Sequence, residues 1–174
     1  MKSSRSLCLT LLLIPALLAL TTVRSYASPV EQLRPVGSTT LKVMFWTIYD
    51  STLFSRNGSY GGVEPGIALK IDYRRNIKKD RLIDTTRDQW LELSLYQPEL
   101  SEIWLSELSQ IWPDIRRGDS IILYVEPDMS ATFYHNEELL GRIDNARFTE
   151  NFLAIWLAED SSFPEQRNEL IGAR

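Results

Sequence analysis

The strongest constraint on the fold is the change of apolar periodicity along the sequence. Three segments in the first half are typical of strands, either by two-residue alternation or by their β-branched and aromatic content: 40–48, 50–55 and 67–73. Both faces of segment 40–48 would be largely apolar, so we expect a strand that is covered on both sides. Segment 67–73 alternates apolar and polar residues, which predicts a half-buried strand.

The period then lengthens to that of a helix. Apolar residues recur at helical spacing on either side of a break at Gln97-Pro98, and Pro113 ends the second run. The first stripe contains Leu82, Thr86, Trp90 and Leu93, and the second contains Leu100, Ile103, Trp104, Leu108 and Ile111. The sequence therefore predicts two consecutive helices.

A second block of strands and a second pair of helices complete the pattern. Strands are predicted at 121–125, 131–135 and 139–143, the last two joined by a tight turn at Asn136-Glu137. Asp144 is the predicted N-cap of a helix, and Pro164 begins a last short helix that Gly172 would close. The inner stripe of the longer helix is Phe148, Phe152, Ile155 and Trp156. Strands in blocks favour an α+β domain with a mostly antiparallel sheet covered by helices.

Residues 1–27 are predicted to be a secretory signal peptide. Lys2 and Arg5 precede an apolar run at 7–20, and Ser25-Tyr26-Ala27 supplies small residues two positions apart. The run is shorter than the roughly 20 residues of a membrane-spanning helix, so no membrane span is expected in the mature chain. Residues 28–174 then form one domain in the periplasm or outside the cell.

Processing would also change the chemistry of the chain. Cys8 is removed, which leaves no thiol for a disulfide or a metal site. Because residues 1–27 contain Lys2, Arg5 and Arg24 but no acid, the net charge of −4 for the whole chain becomes −7 for the mature domain. Such an acidic chain is not expected to bind nucleic acid.

One segment has the opposite charge balance. Between Lys70 and Arg87 there are seven basic residues and three acidic ones. Two interpretations stay open: this segment is the solvated start of a helix and its approach loop, or it is an anion-binding rim.

The usual catalytic and cofactor motifs are missing from the sequence. His135 has no neighbouring ligand cluster that would indicate a metal site. No Gly-x-Ser-x-Gly motif occurs, and the loop at 58–62 lacks the lysine of a phosphate-binding loop. Glu137-Glu138 and Glu159-Asp160 lie beside turn and helix-end signals, which indicates solvated surface. We therefore expect no metal and no cofactor, and the sequence yields no candidate catalytic residue.

Aromatic residues are numerous, with five Trp, six Phe and seven Tyr. Most of them recur at strand or helix spacing and should form the core. A helix layer on a sheet that is rich in aromatic residues can also enclose a pocket for an apolar ligand.

Several short motifs occur in a recognisable order along the sequence: Gly37-Ser38-Thr39-Thr40-Leu41, Tyr49-Asp50-Ser51-Thr52-Leu53-Phe54, Leu69-Lys70-Ile71-Asp72-Tyr73-Arg74-Arg75-Asn76-Ile77, Arg117-Gly118-Asp119, Gly141 and Phe152-Leu153-Ala154-Ile155-Trp156-Leu157. Their order and spacing resemble the chalcone isomerase-like family, in particular its bacterial secreted branch. The resemblance spans residues 37–172. It implies an open-faced β-sandwich, in which a large antiparallel sheet is covered by a layer of helices, with a cleft between the two layers.

The resemblance also suggests where a ligand would bind. Chalcone isomerases use an arginine on the first core strand and a hydroxyl residue further along, and related fatty-acid-binding members use an arginine and a tyrosine. Tyr49 matches the hydroxyl position, whereas Val36 and Gly37 stand where the arginine is expected, and Lys42 is the nearest cation on that strand. A lysine lacks the bidentate fork of an arginine.

The departure at the arginine position favours a non-catalytic protein that binds a small apolar or fatty-acid-like molecule between sheet and helices. The candidate ligand-binding residues are Lys42, Thr47, Tyr49, Tyr73 and Arg74. The first alternative is an isomerase of the chalcone isomerase type that acts on a chalcone-like or other conjugated carbonyl substrate. The second is an interaction module whose acidic surface binds a basic protein.

The signal peptide gives a direct prediction. When the whole chain is produced in a Gram-negative bacterium, the periplasmic fraction should contain a protein that begins at Ser28, because cleavage is expected after Ala27. Intact-mass measurement of that fraction checks it. Recovery of full-length protein from the membrane fraction would contradict the prediction.

Overall fold

A computed structural model describes residues 28–173 of the 174-residue chain. The predicted signal peptide at 1–27 lies outside the described residues. The elements are β1 (Arg34–Val43), β2 (Trp46–Ser55), β3 (Ala68–Tyr73), α1 (Lys79–Glu92), α2 (Pro98–Ile111), β4 (Ser120–Val125), β5 (Ala131–His135), β6 (Glu138–Ile143), α3 (Ala146–Leu157) and α4 (Pro164–Leu170). None of these helices has the length and apolar character that crossing a bilayer requires.

The six strands form one antiparallel sheet in the order in which they occur along the chain. The register places Leu53, Leu69, Leu123 and Phe133 side by side across four strands, and all four side chains are buried. α1 and α2 connect β3 to β4, and α3 and α4 follow β6. The α+β prediction, with an antiparallel sheet and a layer of helices, is confirmed.

The helices bury the stripes that their apolar spacing predicts, with small differences. Trp90 of α1, Trp104 and Leu108 of α2, and Phe148 of α3 are all buried. Ile103, which was assigned to the inner stripe of α2, is exposed instead. The N-cap of α3 is Asn145 and not Asp144: its side chain accepts a hydrogen bond from the backbone N–H of Phe148.

The prediction of a single strand at 40–48 is wrong, because this segment forms the end of one strand, a turn and the start of the next. β1 begins earlier than expected, at Arg34, and ends at Val43, and β2 begins at Trp46 after a turn at Met44 and Phe45. Met44 adopts a positive φ of 56°, which is unfavourable for a residue other than glycine. The sequence contains no glycine or Asn-Gly pair at this position that would have predicted a tight turn. Four of the apolar residues that suggested a doubly covered strand, at positions 43–46, are exposed at the tip.

α4 packs against β1 at a point where the two backbones are very close. A Cβ atom at Gly37 would overlap the carbonyl oxygens of Glu169 and Leu170, so only a glycine fits here. Beside it, the buried Thr39 hydroxyl donates a hydrogen bond to the Glu169 carboxylate. These contacts hold the end of the chain on the first strand.

The close approach predicts a specific loss of stability. Gly37→Ala should lower the free energy of unfolding by about 2 kcal/mol, because backbone atoms cannot yield to the new methyl group without shifting α4. A fall of about 5 °C in Tm, measured by calorimetry, corresponds to this loss. Gly61→Ala is the matched control, since no atom lies within 4 Å of a Cβ there; equal Tm values for both variants would contradict the prediction.

Candidate functional site

A cleft of about 630 Å³ lies between the helix-covered face of the sheet and helices α1 and α3. This volume falls within the range of typical small-molecule sites. Strands β1 to β5 all contribute lining residues, as do both helices and the segments around Arg75, Trp112 and Phe163. The space that the resemblance implied between sheet and helices is therefore present.

The floor of the cleft is apolar. Its buried side chains come mainly from the central strands and from α3, and they are Leu69, Ile71, Ile121, Leu123, Phe133, Phe152 and Ile155. The strand residues among them share one face of the sheet because alternate residues of a strand point to the same side, and Phe152 and Ile155 face them from α3. Such a floor stabilises a hydrocarbon by removing its surface from water.

Two tyrosine hydroxyl groups are polar sites in the largely apolar interior of the cleft. Tyr49 on β2 and Tyr73 on β3 are register partners, and their rings meet edge to face with centroids 6.1 Å apart. The indole N–H of Trp156 donates a hydrogen bond of 2.9 Å to the Tyr49 hydroxyl oxygen. Within residues 28–173, no acceptor takes the Tyr49 hydroxyl proton and no hydrogen bond engages the Tyr73 hydroxyl.

Burial keeps both phenols protonated. It raises the pKa of Tyr49 to about 12, although the hydrogen bond from Trp156 acts in the opposite direction. Burial also raises the pKa of Tyr73, and the neighbouring Tyr49 adds to that effect. Both side chains are therefore O–H donors at neutral pH and can bind an acceptor oxygen of a ligand.

Two further lining side chains contain a buried polar atom. Gln89 Oε1 and Trp112 Nε1 have no hydrogen-bond partner in the part of the chain that the structure describes. Buried polar atoms without partners are uncommon in native proteins. A ligand with polar atoms could form hydrogen bonds with these two groups, whereas a pure hydrocarbon could not.

The mouth of the cleft is cationic. Its exposed lining residues include Arg75, Lys78 and Arg81, and no aspartate or glutamate is among the described lining residues. Lys78 pairs with Asp114 at 2.7 Å, whereas Arg75 and Arg81 make no ion pair within residues 28–173. A cleft edged by one sign of charge attracts ligands of the opposite sign, here anions.

The structure brings together two of the five candidate ligand-binding residues. Tyr49 and Tyr73 line the cleft side by side. Lys42 is exposed and borders a separate groove between β1 and α4, and Thr47 is its partner across the hairpin. Arg74 is exposed and forms an ion pair with Asp50. The binding roles of these five residues stay predictions.

Three contributions were not assigned from the sequence. Trp156 was predicted to lie on the inner stripe of a helix, but no sequence pattern relates it to Tyr49, 107 residues away. Arg75 and Arg81 belong to the basic segment for which two interpretations were open. Their place at the mouth is the position that an anion-binding rim requires.

Residues 28–173 contain no group of three or more His, Cys, Asp or Glu side chains placed to hold a metal ion. The lining of the cleft offers hydrogen bonding from neutral phenols, positive charge at the mouth and apolar contact on the floor.

Comparison with known proteins gives a consistent picture. Residues 33–172 match the model of the chalcone isomerase-like family. An uncharacterized protein of Haemophilus influenzae is 27% identical over 146 residues, which covers 84% of this chain and 71% of that protein. The crystal structure of a fatty-acid binding protein of Arabidopsis thaliana is similar with a TM-score of 0.63 and 9% identity, and the match covers 81% of this chain and 87% of that one.

The buried tyrosines predict a loss of stability at alkaline pH. The folded state keeps the Tyr49 proton up to pH about 12, whereas the unfolded chain releases it near 10, so the free energy of unfolding falls as pH rises between these values. Urea unfolding at about pH 7 and about pH 11 should show that the wild type loses about 1.4 kcal/mol more than Tyr49→Phe. Equal losses in the two proteins would show that this phenol is not protected.

Proposed function

This chain belongs to the chalcone isomerase-like family, and we propose that it is a non-catalytic binding protein for a small amphipathic acid of the fatty-acid type. The observation that carries the proposal is the composition of the cleft: an apolar floor, two phenol donors and a cationic mouth without carboxylates. An apolar chain would lie on the floor and its acidic group would face the positive mouth.

The two parts of such a ligand would contribute differently. Each methylene group buried on the floor contributes about 0.8 kcal/mol, which is close to a fourfold gain in affinity. An exposed charge such as Arg81 contributes up to about 1 kcal/mol, since water and salt screen it. The apolar chain would therefore set the affinity, and the mouth would select acids over neutral molecules of equal length.

The structural relative supports the same class of ligand. The Arabidopsis thaliana protein that shares this fold is a fatty-acid binding protein. At 9% identity that likeness establishes the fold alone, so the proposal for this chain depends on its own cleft.

The charge distribution in the cleft favours binding over catalysis. The lining residues from the first two strands are Leu41, Val43, Ile48 and Tyr49, none of which is charged. A chalcone isomerase-type reaction develops negative charge on an oxygen, and a cation placed next to that oxygen would stabilise it. Here the cations lie at the exposed mouth instead.

The proposal places the protein outside the cytoplasm, in the periplasm or the extracellular space. Its support is the charged and apolar pattern of residues 1–27, which is typical of a secretory signal.

Binding can be tested by displacement of a fluorescent fatty acid from the purified domain. Saturated acids of increasing length should bind with an affinity that rises about fourfold per methylene until the cleft is full. The corresponding alcohols should bind more weakly. Arg81→Gln should weaken the acids about two- to fivefold and leave the alcohols unchanged. Arg147→Gln, an exposed arginine of α3 outside the lining, is the charge-matched control.

Two results would overturn the proposal. The first is no measurable binding of either series to a correctly folded protein. The second is conversion of a chalcone or another conjugated ketone, followed by its ultraviolet absorption and reduced by Tyr49→Phe, which would favour the isomerase alternative.

A further inference from the structure

The tip of the β1–β2 hairpin is a patch of four consecutive exposed apolar residues, Val43, Met44, Phe45 and Trp46. Phe45 is 95% exposed and Met44 is 85% exposed, so no described residue covers them. Exposed large apolar residues are normal when isolated, but a contiguous group marks a surface that binds something.

The hairpin tip continues directly into the cleft. Val43 and Ile48, on its two strands, line the cleft. The guanidinium carbon of Arg75 lies 4.3 Å from the centroid of the Trp46 ring, and Arg75 lines the mouth as well. Whatever covers the tip therefore also faces the opening of the cleft.

The charge around the tip is positive although the domain is acidic. Lys42 precedes the tip on β1, and Arg75, Lys78 and Arg81 edge the adjoining mouth. Three nearby acids are each paired with a cation, Asp50 with Arg74, Asp72 with Lys70 and Asp114 with Lys78, so Lys42, Arg75 and Arg81 are the cations here that make no ion pair within residues 28–173. A negatively charged surface would attract this end of the molecule and repel the rest of it, because the remaining residues must together be more acidic than the net charge of −7 expected for residues 28–174.

We propose that the hairpin tip inserts into the interface of an anionic lipid bilayer and holds the mouth of the cleft against it. Tryptophan and phenylalanine favour the boundary between headgroups and acyl chains, and lysine and arginine favour anionic headgroups. A projecting aromatic turn flanked by cations meets both requirements. The cleft would then exchange its ligand with the bilayer directly, a step that rests on the proposed function.

The size and charge of the tip argue against a protein partner. Aromatic side chains bury about 150–250 Å² each, so the tip offers a few hundred Å², below the roughly 800 Å² that each partner contributes to a stable interface. Association of two copies through their tips would also bring Lys42 and Arg75 of one copy towards the same residues of the other, which is electrostatically unfavourable.

Vesicle flotation tests the docking step without any fatty acid. The domain should bind vesicles of phosphatidylcholine with about 30% phosphatidylglycerol, bind pure phosphatidylcholine much less, and be released by about 0.5 M NaCl. Phe45→Ser should weaken binding at least tenfold. Leu139→Ser, which alters an exposed leucine near the β5–β6 hairpin, is the matched control and should bind as the wild type does.

The fluorescence of Trp46 can show whether the hairpin tip enters the bilayer. Lipids brominated in the acyl chain should quench part of the tryptophan fluorescence of the wild type on binding, because bromine quenches at short range. Trp46→Phe should still float with the vesicles but lose that quenching. Unchanged quenching in Trp46→Phe would show that another part of the protein enters the bilayer.

The outcomes separate this inference from the proposed function. Absence of vesicle binding, or binding unaffected by Phe45→Ser, overturns the membrane inference. Concentration-dependent dimers in sedimentation velocity that Phe45→Ser abolishes overturn it in favour of a second copy. Vesicle binding by a protein that binds no fatty acid in solution supports docking and overturns the proposed ligand alone.

Discussion

The aromatic ladder on α3 is the contact on which the rest of the domain depends. Phe148, Phe152 and Trp156 follow one another at four-residue spacing, and adjacent rings lie 5.5 Å apart. Phe148 contacts Trp90 of α1 and Trp104 of α2, and Phe152 contacts Phe133 of β5. Each aromatic pair contributes about 0.5–1.5 kcal/mol beyond the burial of its area. One helix thus fixes the two other long helices on the sheet.

The same ladder determines where packing ends and the cleft begins. Its last member, Trp156, turns its indole N–H to the hydroxyl of Tyr49, and both side chains line the cleft. This hydrogen bond links the Tyr49 side chain to a residue of the aromatic core and restricts its orientation. The cleft is therefore a consequence of how the aromatic core terminates, and its shape depends on residues that also hold the fold together.

Local periodicity was sufficient to predict the architecture but not all of its boundaries. Strands β3 to β6 and all four helices lie within a few residues of the predicted segments, because each has a regular apolar pattern and a turn signal at its ends. The β1–β2 hairpin has no such signal: apolar residues continue through the turn at Met44 and Phe45. Of the site, the family resemblance pointed to Tyr49, and Tyr73 was the other of the five candidates that lines the cleft. The contact of Trp156 with Tyr49 is a product of long-range packing, which no local pattern predicts.

The hairpin was misread as a buried strand for a physical reason. Burial predictions assume that apolar residues are removed from water by the protein's own chain, and in segment 40–48 that assumption fails. Because Phe45 is exposed, the domain lacks the free energy that burial of this side chain would have contributed. A β1–β2 turn with polar residues would have closed the hairpin equally well, so the apolar tip is not required by the fold. Its proximity to the cleft mouth fits the docking role that we propose for it.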